Sequence, residues 1–104
     1  PFDFPVEIAM MERHPLGSQA FIPLHPLPWL VVVAPDQEGK PGRPRAFMVE
    51  AGEGGIRGVN YAPGTWHHPL IMLRTRGDFL VVDRGGSGSN LEEYRFDSPF
   101  RVAP

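Results

Sequence analysis

The apolar residues of this chain fall into short blocks, and proline or glycine cuts in before any block is long enough for an ordinary helix. Segments 19–24, 29–34, 45–50, 56–61, 66–74 and 78–83 each read as a strand, with a weaker one at 92–96. Turn sequences separate them: Pro35-Asp36-Gln37-Glu38-Gly39, Gly52-Glu53-Gly54-Gly55, Ala62-Pro63-Gly64 and Gly85-Gly86-Ser87-Gly88. Val31-Val32-Val33 and Phe79-Leu80-Val81-Val82 are unbroken apolar runs, which predicts strands buried on both faces. The longest stretch free of proline and glycine is ten residues, Ser89 to Ser98, and the next is nine, Val6 to His14. Helices average about 11–12 residues, so helices have little room. Short strands punctuated by turns every 8–12 residues or so indicate an all-β sandwich or barrel. Ser87-Gly88-Ser89-Asn90 reads as a flexible loop, and the tail to Pro104 is expected to wrap the surface.

Composition narrows the class. One domain fits in 104 residues, with 41% hydrophobic and 21% charged residues, which is globular and not disordered. The net charge is −2 with cations scattered singly, so there is no basic stripe for nucleic acid. No apolar run approaches the roughly 18 residues of a membrane-spanning helix, and the start lacks the pattern of a signal peptide. The absence of cysteine removes disulfides, thiolate metal sites and a cysteine nucleophile, and it suits a reducing cytoplasm. The chain opens at Pro1 with Phe2 and Phe4 expected to be exposed. That predicts one domain over residues 1–104 that lacks an N-terminal segment of a longer protein.

Two polar clusters stand out against the strand-like background. Glu12-Arg13-His14 is followed by Gln19, and Gly64-Thr65-Trp66-His67-His68-Pro69 carries two more of the four histidines. In an extended chain residues two apart share a face, so Glu12 and His14 would enter one cavity while Arg13 points away. Gln19, opening the next strand, can reach the same space. Adjacent His67 and His68 point to opposite faces, so only one can join, and Trp66 shares the side of His68. Histidine is both a common metal ligand and the usual acid–base group near neutral pH; a purely structural histidine is the plainer alternative. Arg74, Arg76 and Arg84 are further candidates. Arg84, at the end of an apolar strand, is placed either to fork onto a substrate carboxylate or to pair with Asp83 or Asp78. His25, between Pro23 and Pro26, reads as a loop residue.

The string from Glu12 to Pro23, Glu-Arg-His-Pro-Leu-Gly-Ser-Gln-Ala-Phe-Ile-Pro, resembles the signature of the ureidoglycolate lyases, cupin-fold enzymes of allantoin breakdown. Gly58-Val59-Asn60-Tyr61, Trp66-His67-His68-Pro69-Leu70 and the segment from Asp78 to Ser87 resemble the same family in the same order. The resemblance implies a cupin-like jelly-roll β-barrel. The general cupin pattern is His-x-His, a four-residue gap, then Glu; here those positions read Glu12, His14 and Gln19. Its second motif sets a ligand histidine three residues after a glycine, which selects His67 after Gly64. Two histidines remain, one ligand has become Glu12, and Gln19 is a poor ligand for a divalent ion.

The resemblance further implies cleavage of (S)-ureidoglycolate to glyoxylate and urea, a homodimer, and a divalent metal, with nickel as a candidate. On that basis Glu12, His14 and His67 are the expected acid–base residues or, alternatively, the metal ligands. Gln19, Tyr61, Trp66 and Arg84 are the expected substrate-binding residues. The competing reading is a non-catalytic cupin-like barrel that binds a small carboxylic acid.

Overall fold

The computed structural model describes residues 1–51, 55 and 57–104, and the described residues contain eleven strands and no helix. In chain order these are β1 (Val6–Arg13), β2 (Gln19–Pro23), β3 (Trp29–Ala34), β4 (Asp36–Gln37), β5 (Lys40–Pro41) and β6 (Arg45–Val49). After them come β7 (Val59–Tyr61), β8 (Trp66–His67), β9 (Ile71–Met72), β10 (Phe79–Asp83) and β11 (Glu92–Val102). The larger sheet runs β11-β1-β8-β3-β6, with β9 also on β3; the smaller runs β10-β2-β7; β4 and β5 form a hairpin. The fold is all-β, and its strand ladders are antiparallel.

Strand β3 organises the core because its side chains alternate between two clusters. Trp29 and Val31 face the smaller sheet and pack with Phe21 and Tyr61, joined by Val59 and Phe79. Leu30, Val32 and Ala34 face the other way and pack with Val6, Ile8, Met11, Trp66 and Ile71. The run Val31-Val32-Val33 is therefore enclosed from both sides, as its composition predicts. At about 25 cal/mol per Å² of apolar surface, the two faces together hold the sheets in register.

Several expectations change. The sequence predicts no strand over Val6–Arg13, yet β1 runs inside the larger sheet, between β11 and β8. The segment read as one strand over 66–74 is two short strands, because Pro69 has no N–H for a ladder and Arg74 adopts φ 62°. The tail does not wrap the surface; it continues β11 to Val102, paired with β1. Phe4 packs against the Ile8 cluster, while Phe2 is only partly covered and bridges to Leu73. The run Phe79-Leu80-Val81-Val82 is not buried on both faces: Leu80 is 52% and Val82 54% exposed. Among the described residues its strand β10 pairs only with β2, which leaves the outer edge open. The expected turn at 52–55 and the start of the strand expected from Ile56 lie largely outside the described residues.

Candidate active site

The site begins with an irregularity in β1. Val6 pairs with Val102 and Ile8 with Phe100, but Met10 pairs with Arg95, so the register shifts between Ile8 and Met10. The β11 residues skipped there include Pro99, which cannot donate to a ladder. Before the shift Val6 and Ile8 face the core; after it Met11 does. Strict alternation from Ile8 would have buried Glu12 in that apolar cluster. The shift instead turns Glu12 to the opposite face and gives Arg13 the apolar side, over the Trp66 ring.

Strand β8 lies between β1 and β3 and delivers the second component. His67 sits directly opposite Glu12 on one side and Val33 on the other, so the three share a face. The Ala62–Thr65 turn that precedes it needs Gly64 at φ 79°, and the Gly64 N–H donates to the His14 carbonyl at 3.0 Å. His67 Nε2 lies 3.7 Å from Glu12 Oε1, and the His14 and His67 rings are 5.3 Å apart. One ligand-type atom from each of Glu12, His14 and His67 lies within 4.8 Å of the other two. Tyr61 stacks on His67 at 4.3 Å with an interplanar angle of 13°. Gln19 is opposite Tyr61 in the neighbouring strand and is buried; its Nε2 donates to Asp83 Oδ2 at 3.2 Å while its Oε1 has no partner.

A match to the family model for ureidoglycolate lyase runs from residue 1 to residue 103. The chain belongs to the ureidoglycolate lyase family. It is 57% identical over 102 residues to a protein named ureidoglycolate lyase 2 from Rhizobium meliloti (strain 1021), covering 98% of this chain and 60% of that protein. It is 55% identical over 103 residues to a ureidoglycolate lyase from Agrobacterium fabrum, covering 99% of this chain and 60% of the relative. For a ureidoglycolate lyase from Chelativorans sp. (strain BNC1) the identity is 53% over 102 residues, with 98% and 59% covered. The chain thus spans about three-fifths of the length of the curated relatives it matches.

Within this family member the two site histidines are wired alike. His14 Nδ1 is 2.8 Å from the Asn90 carbonyl, and His67 Nδ1 is 3.0 Å from the Thr65 carbonyl. A carbonyl only accepts, so each Nδ1 carries a proton, and in its neutral form each ring leaves its Nε2 as the free lone pair. Both Nε2 atoms are buried and have no hydrogen-bond partner among the described residues. Two lone pairs and a carboxylate converge with no donor between them. This arrangement calls for a cation, a proton or a substrate hydroxyl in their midst, and two imidazole nitrogens with one carboxylate oxygen suit a borderline divalent ion.

Burial pushes the His67 imidazole down to about 4, with the backbone hydrogen bond from its ring to Thr65 opposing the shift and His14 and His68 adding to it. Burial also raises the Tyr61 phenol to about 12, so it keeps its proton. The His67 shift has a consequence for stability. In the unfolded chain histidine titrates near 6.5, so between about pH 6.5 and 4 the unfolded state binds the extra proton. Stability contributed by neutral His67 is therefore complete above that window and lost as the pH falls through it. Urea unfolding of chelator-treated protein should show a loss on the order of 2–3 kcal/mol from this group between pH 7 and pH 4. His67→Gln should flatten that part of the profile, and an unchanged slope would contradict it.

The remaining expected site residues do not all gather here. Trp66 faces away from His67: it is 1% exposed in the Ile8 cluster, and its Nε1 donates to Asp36 Oδ1 at 3.0 Å. Arg84 ends beside the site turn, where its stem crosses Gly17, but its Nη2 donates to the Ser87 carbonyl at 3.0 Å. Neither Asp83 nor Asp78 pairs with it; they contact Gln19 and His25. Arg13 points away, as the alternation predicts, into ion pairs with Asp36 and Glu92 at 2.9 Å each. His68 donates from Nδ1 to the Pro69 carbonyl and meets Phe2 edge-on. A groove of about 770 Å³ lies on the Ile8–Tyr94 side and shares no residue with the cluster. Sequence reasoning missed Asn90, which touches both His14 and Leu16; its only signal was an asparagine closing a Gly-Ser-rich segment.

Proposed function

We propose that this protein cleaves (S)-ureidoglycolate to glyoxylate and urea through Glu12, His14 and His67. The observation that carries this reading is the convergence of Glu12, His14 and His67, one ligand-type atom from each lying within 4.8 Å of the others and each imidazole held through Nδ1 by a backbone carbonyl. The reaction is the collapse of a carbon that bears hydroxyl, carboxylate and a ureido nitrogen. The hydroxyl loses its proton, its O–H electron pair becomes the carbonyl of glyoxylate, and the C–N pair leaves with nitrogen. The same proton count is then restored on nitrogen, giving urea, and no water is consumed. Glu12, 21% exposed at its side chain, takes the hydroxyl proton. His67 Nε2, 3.7 Å away, is the next station; with its pKa lowered to about 4 its conjugate acid surrenders the proton readily to the departing nitrogen. The unpartnered Gln19 Oε1 accepts from the urea N–H groups, and the Tyr61 ring walls the site. Arg84 holds the carboxylate after exchanging its Ser87 partner for the substrate.

Glu12, His14 and His67 would also hold a divalent ion, nickel among the candidates, which would supply electrophilic polarisation of the hydroxyl and carboxylate oxygens. The open, apolar outer edge of β10 supports reading the two sheets as part of a cupin-like jelly-roll barrel. A homodimer is the assembly that the family resemblance supports. No described helix is long and apolar enough to cross a membrane, and the cysteine-free composition supports a cytoplasmic setting. The test is release of urea and glyoxylate from (S)-ureidoglycolate by intact protein, with and without chelator. Equal amounts of the two products are expected. Binding of substrate without turnover under any divalent ion would leave a non-catalytic acid-binding barrel instead.

A further inference from the structure

We propose that Asn90 is the positioning residue for His14, fixing both the tautomer and the direction of its ring. His14 is the residue after β1, where strand pairing no longer holds the backbone. Asn90, 76 positions later, grips the turn twice. Its carbonyl accepts from His14 Nδ1 at 2.8 Å, and its side-chain Oδ1 accepts from the Leu16 N–H at 2.7 Å. The second bond sets where the first can form, because the side chain pins Asn90 to the turn that carries the ring. Gly64 holds the His14 carbonyl from the other side. Earlier in the chain the Arg84 stem lies so close over Gly17 that a Cβ there would sit 2.7 Å from Arg84 Cβ. The Ser87–Asn90 loop read from sequence as flexible is thus fastened to the 14–17 turn at its Asn90 end, and Arg84, three residues before the loop, closes over Gly17. An asparagine fits because its side-chain oxygen reaches a neighbouring N–H while its own carbonyl stays free for the imidazole. With Nδ1 held as the donor, the Nε2 lone pair of His14 is available where Glu12 and His67 converge.

The activity consequence rests on the lyase reading, but the ring geometry is measured separately from it. Asn90→Ala removes the Oδ1 acceptor, and Asn90→Asp keeps one. Ring ¹⁵N spectra of the intact protein should show His14 as a single Nδ1–H tautomer in wild type and N90D, and as a tautomer mixture in N90A, with His67 unchanged in all three. Calorimetry with Ni²⁺ and turnover of ureidoglycolate should each fall about 10–100-fold in N90A and recover in N90D. A single Nδ1–H tautomer persisting in N90A would overturn the proposal, as would an N90D protein as impaired as N90A. If wild type fails to cleave ureidoglycolate, the functional reading falls while the ring spectra still decide the role of Asn90.

Discussion

Replacing His67 with alanine should lower kcat for ureidoglycolate cleavage by about 10²–10⁴-fold, the usual cost of deleting one acid–base group. The residue is 1% exposed, faces Glu12 across the strand pair, and is the only group stacked on Tyr61 among the described residues. Alanine removes the buried Nε2 that lies 3.7 Å from Glu12 Oε1 and to which the proposed mechanism gives the proton for the departing nitrogen. His14 remains, but from the turn beyond β1 it does not take the place of His67 at the 3.7 Å contact with Glu12. The informative control is His68→Ala, one residue on. His68 hydrogen-bonds the Pro69 carbonyl and lies against Phe2, away from the cluster, so its loss should leave kcat near wild type. Steady-state kinetics of the two variants, each shown to be folded by its thermal transition, would decide the matter. Equal rates for H67A and H68A would remove His67 from the chemistry.

That contrast between adjacent histidines was legible in the sequence, because strand alternation requires one of them to face the cluster. The resemblance to the second cupin motif, a histidine three residues after a glycine, selected the one that the geometry also brings to Glu12. The Glu12-x-His14 pair was likewise readable, although the strand that carries Glu12 was not recognised as one. The reason is the register shift beside Ala9 and Met10. Val6, Ile8 and Met11 do not share one period of two, so the apolar signal of β1 is broken even though its hydrogen bonds continue. β10 shows the opposite failure. Its run of four apolar residues looks like a doubly buried strand, but among the described residues only β2 pairs with it, and no local pattern says what stands on the other edge. The contribution of Asn90 depends on a contact 76 residues away, and sequence spacing carries no information about such a contact.

Trp66→Ala should destabilise the fold by about 3–5 kcal/mol, the range for deleting a large buried aromatic, and should do so as a core residue. The indole fills the cluster built from β1, β3 and β9, where it is 1% exposed. It also supports the ring of Tyr94 edge-on and the Arg13 guanidinium 4.7 Å above its own ring. Its N–H is the leading cause of the lowered Asp36 carboxyl, ahead of the Arg13 charge, so one side chain ties the apolar cluster to the ion pairs at its rim. Because Trp66 and His67 are neighbours in β8, alanine can disturb the site indirectly. Trp66→Phe separates the two roles: it keeps most of the ring volume, loses the N–H to Asp36, and should cost a smaller amount, about 1–2 kcal/mol. A residue that touched ureidoglycolate would behave differently, raising KM in the phenylalanine variant with little change in the unfolding midpoint. Urea unfolding and KM measured side by side on W66F therefore distinguish a core tryptophan from a substrate contact. The expected result is a lower midpoint with KM unchanged, because Trp66 lies in the Ile8 cluster, on the face of β8 opposite to Glu12 and His67.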